Sequence, residues 1–396
     1  MAAVQQIAII GGGIGGLAAA LSLLRAGFDA HVYEQAPALG EIGAGIQIGP
    51  NASRILHRLG LAPTLAKVAV RPQAAHQRRW DDGRMLQNAP LGGALEAVFG
   101  APYYHFHRAD LLAALAQALP PERLHLDHRL AGLIDRGDKV DANFANGAQI
   151  SATALVGADG IHSSVRAQLF GAEQPRFTGC IAYRGLVPAA RLAPLALPMV
   201  ANNWMGPGKH FVHYFVSAGR LVNFVAVIER DAWAKESWNE RGAIADALAT
   251  FGGWHSQVRA IIAAADETFV WGLFDRAPLA RWTVGRVTLL GDAAHPMLPF
   301  MAQGAAQAIE DGATLAATFA RFGSAQAPEA LMLYETLRIP RASRLQTMSH
   351  ANKTRFHLPD GPLQEDRDHQ MATNGDRSIP NMRWLYEHDA GVLDCL

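Results

Sequence analysis

The chain has 396 residues, 35 Lys plus Arg against 35 Asp plus Glu, and half its residues are apolar. This balance excludes a disordered chain, which is apolar-poor and carries net charge, and it offers no basic excess for nucleic acid. Cys180 and Cys395 are too few for a disulfide scaffold or a Cys-built zinc site, so no metal is expected. No run approaches the ~20 apolar residues of a membrane helix, and no basic stretch precedes the first apolar run as in a signal peptide. The expectation is a soluble, cytoplasmic, enzyme-sized protein of two or three domains at ~150 residues each, without nucleic-acid or membrane partners.

Taken in chain order, Gln6 to Ile10 is an apolar run of buried-strand type, followed at once by Gly11-Gly12-Gly13-Ile14-Gly15-Gly16. A helix pattern runs from Leu17 to Ala26 and closes at Gly27, and a second strand runs from Asp29 to Tyr33, ending at Glu34. A G-x-G-x-x-G turn inside a βαβ unit, with an acid about 20 residues on, is a dinucleotide-binding pattern. Gly11 permits the tight turn, Gly13 lets backbone N–H groups approach a pyrophosphate, and Gly16 lets helix and strand pack closely. The helix N-terminus adds a positive dipole end, and Glu34 is placed to accept from ribose hydroxyls.

Three later segments follow. Tyr104 to Leu112 is an extended piece turning into a helix and contains Arg108. Val156 to Arg166 is a strand end, tight turn and helix start around Asp159-Gly160. Val287 to Pro296 is a buried strand ending in Gly291-Asp292. With GGGIGG, GADGIHSSVR and LLGDAAHP in this order, the chain resembles the single-component (group A) FAD-dependent aromatic monooxygenases from Gln6 to about Arg344. Its tail, LPDGP at 358–362 and WLYEHDA at 384–390, resembles the salicylate hydroxylase branch. Nearest in motif detail are salicylate hydroxylase, 3-hydroxybenzoate 6-hydroxylase and 6-hydroxynicotinate 3-monooxygenase.

The resemblance implies an α/β fold: a Rossmann-like FAD-binding domain, an inserted, mostly antiparallel substrate-binding sheet and a helical C-terminal region. It implies FAD as cofactor, with NADH or NADPH and O2 as co-substrates of a small aromatic substrate. By the same resemblance the transferred oxygen would come from a flavin C4a-hydroperoxide. The implied FAD set is Gly11, Gly13, Ile14, Gly15, Gly16, Glu34, Gln35, Gln47, Arg108, Leu130, Asp159, Asp292, Pro299, Gln303, Gly304 and Ala305. In that picture Arg108 reaches the pyrophosphate or ribityl region, and Asp292 accepts from ribityl hydroxyls. Asp159-Gly160 closes the domain around FAD, and Pro296 to Ala305 lies along the flavin ring. A helix from Gln303 to Leu315 would aim its first N–H groups at the pyrimidine edge, where its dipole favours negative charge. The second Gly-rich segment, Glu41 to Asn51, reads by resemblance as a mobile stretch beside the ring, with Gln47 toward the substrate. Read without the resemblance, it is an ordinary flexible loop.

Short β-rich runs at Cys180–Val187, His210–Val216, Leu221–Ile228 and Thr268–Phe274 suggest the substrate sheet. Strand period two puts His210, Val212 and Tyr214 on one face and Phe211, His213 and Phe215 on the other. The resemblance places substrate contacts on the first face, so the catalytic candidates are His210, Tyr214 and Gln47, ahead of His213. A phenol reacts faster as phenolate, and histidine titrates in the range that a base or proton relay needs. Arg184 is a candidate partner for a substrate carboxylate, or else a structural ion-pair member. Histidine is expected at the place of Gln47 in 6-hydroxynicotinate-type enzymes. Glutamine is no base, so it favours a hydroxybenzoate, whereas Met297 to Gly304 resembles the salicylate and hydroxynicotinate loops.

The expected division is FAD-binding segments at 1–75, 104–177 and 279–325, substrate-sheet segments at 76–103 and 178–278, and a helical C-terminal region at 326–396. No second nucleotide motif of comparable quality follows, so NAD(P)H is expected to dock transiently. Ala327 to Ser349 reads as a helix that Pro340 kinks or splits, and 357–383 as an extended loop. Trp384-Leu385-Tyr386 reads as an aromatic plug on the body or on a partner subunit of a homodimer. Alternative readings are another flavin enzyme of this fold and a non-catalytic flavin-binding regulator. The Trp-x-Trp-x-Ile-Pro segment of flavin halogenases is absent.

Overall fold

The computed structural model describes residues 6–40, 44–232, 240–375 and 378–393; Glu41 to Gly43 and Cys395, named above, lie outside them. Ile7–Ile10 is buried along its whole length, as a strand apolar on both faces must be when helices cover a parallel sheet. It pairs in parallel with Ala30–Tyr33 on one side and Ala154–Gly157 on the other. The six-stranded sheet is completed by Leu124–His125 at one edge and by Val287–Leu289 and Thr283–Val284 at the other. The turn after the first strand is held by Gly11, whose φ of +111° suits only glycine. A side chain at Gly16 would collide with the Gly11 carbonyl, so helix Ile14–Arg25 sits close against its strand.

The second layer is an eight-stranded sheet, ordered Glu240–Gly242, Thr268–Asp275, Arg176–Pro188, Leu221–Glu229, Lys209–Val216, Ala201–Gly206, Ala74–Arg79 and Met85–Pro90. All pairings are antiparallel except Ala201–Gly206 with Ala74–Arg79. The period-two reading of Lys209–Val216 holds. Phe211 packs with Phe224 and Phe251 beneath helices Ile244–Thr250 and Ser256–Ala263, while His210, Val212 and Tyr214 line a cavity facing the first layer.

Three expectations need correction. The second Gly-rich segment is not simply a loop: Gly45–Ile48 is a strand paired with Tyr104–His107, and Pro50–Arg58 is a helix with Pro50 in its first turn. Ala327–Phe356 is one helix that Pro340 does not split. A proline removes one N–H, and the salt bridges of Arg338 and Arg341 hold the backbone on either side of it. Residues 357–383 are not an extended loop, since Pro362–Asn374 is a helix and Ile379–Tyr386 begins another. The Pro, Gly and Asp residues that suggested a loop mark helix starts. The plug docks on the body: Leu385 and Tyr386 are buried, and Tyr386 meets Phe99 and Tyr103 edge-on.

Helices Gly304–Phe322 and Ala327–Phe356 are joined by an ionic cluster whose centre, Arg338 with Glu310 and Asp311, is fully buried. Arg338 donates to Asp311 Oδ1 and Glu310 Oε2, both at 2.7 Å, and Arg341 adds a second guanidinium on Glu310. Burial alone would raise the Glu310 carboxyl, but Arg338 and Arg341 override it and hold it at about 2. Replacing Arg338 by Ala leaves two buried carboxylates short of compensation. It should cost about 3–5 kcal/mol, read as a lower thermal midpoint of the FAD-loaded protein. Because the folded pKa of Glu310 is depressed, its contribution is complete above the unfolded value of about 4.3 and is lost as pH falls toward the folded one. The urea midpoint should therefore drop between about pH 5 and 2.5, and drop less in Glu310→Gln.

Candidate active site

Between the two layers lies a cavity of about 360 Å³. One wall is the nucleotide-binding layer. Gly13, Ile14 and Gly15 reach it from the first turn of helix Ile14–Arg25, Arg108 from the start of helix Arg108–Ala118, and Asp292 from the turn after strand Val287–Leu289. Pro299, Gln303, Gly304 and Ala305 form its floor. The opposite wall is the eight-stranded sheet, with His210, Val212 and Tyr214, and Gln47 enters from strand Gly45–Ile48.

The remaining residues of the expected FAD set lie outside this lining. Gly11 and Gly16 shape the turn behind it. Glu34 accepts from the backbone N–H of Gly12 at 2.6 Å and of Ala36 at 2.8 Å, which ties the second strand's end to the glycine turn. Gln35 follows Glu34, and Leu130 is buried at the start of strand Leu130–Asp135. Asp159 accepts from Ser163 Oγ and from the backbone N–H groups of Ser164 and Val165, so it anchors the start of helix Ser164–Phe170, while Gly160 lines the cavity.

The lining fits a dinucleotide flavin. Helix Ile14–Arg25 starts at Gly13 without a side-chain cap, and a Cβ there would meet nothing within 4 Å, so its free N–H groups are left for an anion. A Cβ on Gly15 would stand 2.9 Å from Ala308 and Leu290, so no side chain can occupy that edge. Arg108 offers a cation for phosphate. Asp292 opens to the cavity with protein packed around it. Burial holds its carboxyl above the usual range, against the pull of His295 and Arg108. Helix Gly304–Phe322 also begins without a side-chain cap, beside Ala302 in the left-handed region at φ +52°. Its dipole meets whatever occupies the floor.

On the sheet side of the cavity, Tyr103 donates to Gln47 Oε1 at 2.8 Å, which fixes the amide beside Tyr214. Burial pushes the Tyr214 hydroxyl well above its ordinary range despite contact with Gln47, so it stays protonated. His210 is 2% exposed, and its Nδ1 lies 2.7 Å from His357 Nε2. His213 is on the other face, against Trp204 and Phe211, and burial takes it down to about 3. Arg184 lines an adjoining lobe of about 230 Å³ and stacks 3.4 Å from the Trp271 ring centroid.

Sequence reasoning missed a polar stretch of this wall: His76 and Gln77 on Ala74–Arg79, and Asn202 and Asn203 on Ala201–Gly206. Asn203 Nδ2 donates to Gln77 Oε1 at 2.9 Å, and Asn203 Oδ1 is buried with no hydrogen-bond partner among the described residues. The polar residues in these short runs were a weak signal, but only the parallel pairing of two distant strands brings them together.

A cavity with a glycine-turn helix start, an Arg and an Asp on one side and an aromatic, polar β-sheet on the other defines a flavoprotein oxygenase site. The chain belongs to the FAD-dependent aromatic monooxygenases, enzymes that draw electrons from NAD(P)H: residues 4–349 match the family profile described as FAD binding domain. It is 44% identical to the 3-amino-4-hydroxybenzoate 2-monooxygenase of Streptomyces platensis, over 98% of this chain and 97% of the relative. It is 40% identical to the 6-hydroxynicotinate 3-monooxygenase of Bordetella bronchiseptica, over 88% and 91%. Among solved structures, a salicylate hydroxylase substrate complex superposes with a TM-score of 0.83 at 26% identity, over 99% of this chain and 97% of that one. Among the described residues no helix is long and apolar enough to cross a membrane.

Asp292→Ala should weaken FAD retention by about 1.5–3 kcal/mol, the worth of hydrogen bonds to a charged group, or about ten- to a hundredfold in Kd. The ratio of flavin to protein absorbance after gel filtration at low flavin checks this.

Proposed function

We propose that this enzyme hydroxylates a small aromatic carboxylate bearing a ring hydroxyl, with or without a ring amine, and that His210, Tyr214 and Gln47 handle the ring. The observation that carries the reading is that these three side chains share one cavity with Gly13, Arg108 and Asp292. The flavin, when bound, supplies electron transfer from NAD(P)H and activation of O2. The protein's tasks are to hold the cofactor, orient the ring, exclude water and manage one proton. Gly13, Arg108, Asp292 and the start of helix Gly304–Phe322 would hold the cofactor.

Tyr214, kept protonated, donates toward a ring oxygen or carboxylate, and Gln47 orients it. Neither can serve as a base at neutral pH. His210 remains as the group to take the phenolic proton, which makes the ring electron-rich. The amides of Gln77 and Asn203, with His76, provide donors and acceptors for polar substituents on the far edge of the ring. A ring amine accords with the 44% identity to an enzyme named for an aminohydroxybenzoate. The need for NAD(P)H, and the lack among the described residues of a helix fit to cross a membrane, support a cytoplasmic setting for the activity.

The test is a panel of 3-amino-4-hydroxybenzoate, 3-hydroxybenzoate, salicylate and 6-hydroxynicotinate, with NAD(P)H oxidation, O2 uptake and products measured together. At least one should stimulate oxidation and yield the ring-hydroxylated acid; no hydroxylated product from any of the four overturns the substrate class. His210→Ala should lower hydroxylation about 10²–10⁴-fold while leaving FAD bound. Undiminished turnover removes His210 from the chemistry.

A further inference from the structure

His210 is the end of a chain of three side chains that leads out of the cavity. Its Nδ1 is 2.7 Å from His357 Nε2, and His357 Nδ1 is 2.9 Å from Glu229 Oε1. His357 is buried, whereas the Glu229 side chain is 45% exposed. The backbone fixes each link. His210 and Glu229 sit on the neighbouring strands Lys209–Val216 and Leu221–Glu229. His357 ends helix Ala327–Phe356, where its carbonyl accepts from Gly208 N at 3.0 Å and its own N–H returns to Lys353 O. Phe300 and Phe356 meet the His210 ring edge-on and pack beside the link.

We propose that His357 and Glu229 are positioning residues that form, with His210, a proton relay between the substrate hydroxyl and the surface. This rests on the reading of His210 as the group facing the substrate. The direction of the relay follows from valence. An ionised carboxylate can only accept, so Glu229 makes His357 the Nδ1–H tautomer. His357 Nε2 is then an acceptor, which makes His210 the Nδ1–H tautomer in turn. The one ring nitrogen left with a free lone pair is His210 Nε2, available to the cavity that His210 lines. When that nitrogen takes the phenolic proton, the Nδ1 proton of His210 passes to His357 Nε2. The Nδ1 proton of His357 passes to Glu229, and Glu229 releases it to water. The substrate O–H bond breaks, its electron pair stays as phenolate, and one proton reaches solvent. Reprotonation runs the same path backwards.

The arrangement solves a problem that a lone buried histidine would have. Burial, and then the nearby His357, hold His210 far below the ordinary histidine range, so an imidazolium stored there is disfavoured. In the relay neither histidine has to keep a charge. Among the described residues, the other titratable and charged groups at the link are Lys353 and Cys180. Lys353 Nζ is engaged by the Thr178 carbonyl at 2.7 Å, and the buried Cys180 thiol is pushed up to about 11.

Two measurements decide the proposal. In FAD-loaded, 15N-labelled protein at pH 8, with signals assigned by their loss in His210→Asn and His357→Asn, both histidines should carry the proton on Nδ1 and none on Nε2. A proton on Nε2 of either one overturns the relay, whatever the substrate. The second uses Glu229→Gln, which keeps an acceptor for His357 but cannot take up a proton. With 3-amino-4-hydroxybenzoate, turnover at pH 7 should fall about ten- to a hundredfold, in the lower part of the general acid–base range. FAD content and KM should hold, and the deficit should shrink as pH rises toward 9 and the phenol ionises unaided. Glu229→Gln with wild-type turnover at every pH overturns the relay, since a purely structural Glu229 would behave that way. Wild-type enzyme that oxidises NAD(P)H with none of the probes overturns the substrate reading instead, and the tautomers still decide the relay.

Discussion

Arg338, buried between two carboxylates, is the constraint on which the rest of the site depends. A buried guanidinium must be paired, and each of its partners must satisfy the remainder of its own hydrogen-bonding capacity. Asp311 does so by accepting from the backbone N–H of Gly291 at 3.0 Å and by meeting His295 Nε2 at 2.6 Å, which pins both ends of the Gly291 to His295 turn that carries Asp292. Glu310 accepts from Asn51 at 2.6 Å, and Asn51 also reaches Gln303, the residue before helix Gly304–Phe322. Arg341 extends the cluster to the carbonyls of Trp384 and Leu385. One charge thus positions the turn that carries Asp292, the floor of the cavity and the aromatic plug. Glycines at the flavin layer leave room for the cofactor, and this cluster keeps that room the right shape.

The opposite wall is set by a different rule. A strand offers alternate side chains to its two faces, and Lys209–Val216 uses the two faces for different purposes. Phe211 enters an aromatic core that holds the strand against two helices, and that anchoring lets His210 and Tyr214 be presented rigidly to the cavity. His213, close in sequence to His210, falls on the core side and is held neutral by burial. Chemistry on this wall therefore depends on register, and a one-residue slip would exchange the two histidines.

Local patterns in the sequence carried the flavin layer. The glycine turn and the strands flanking it are determined by neighbours within a few residues, Arg108 and Gly291-Asp292 stood out only through the order of motifs that the chain shares with a family, and the four substrate-sheet runs were visible as alternation. What could not be read locally was the pairing. The wall of His76, Gln77, Asn202 and Asn203 exists because two strands more than 120 residues apart lie in parallel. His357 acquires a role only when a 30-residue helix returns across the sheet and ends beside His210. The tail was misread because Pro, Gly and Asp signal both loops and helix starts; Pro362 opens a helix containing Leu363, Gln364, Glu365 and Met371.

The central claim is that the aromatic substrate lies in the lobe bounded by His210, Tyr214 and Gln47, with the flavin on its other side. A crystal structure of the FAD-loaded enzyme with a bound aromatic acid that stimulates NAD(P)H oxidation tests it most directly. The account predicts the ring hydroxyl within hydrogen-bond reach of His210 Nε2 and a polar substituent toward Asn203. A ring bound instead in the neighbouring lobe, against Arg184 and Trp271 with His210 out of reach, would contradict it.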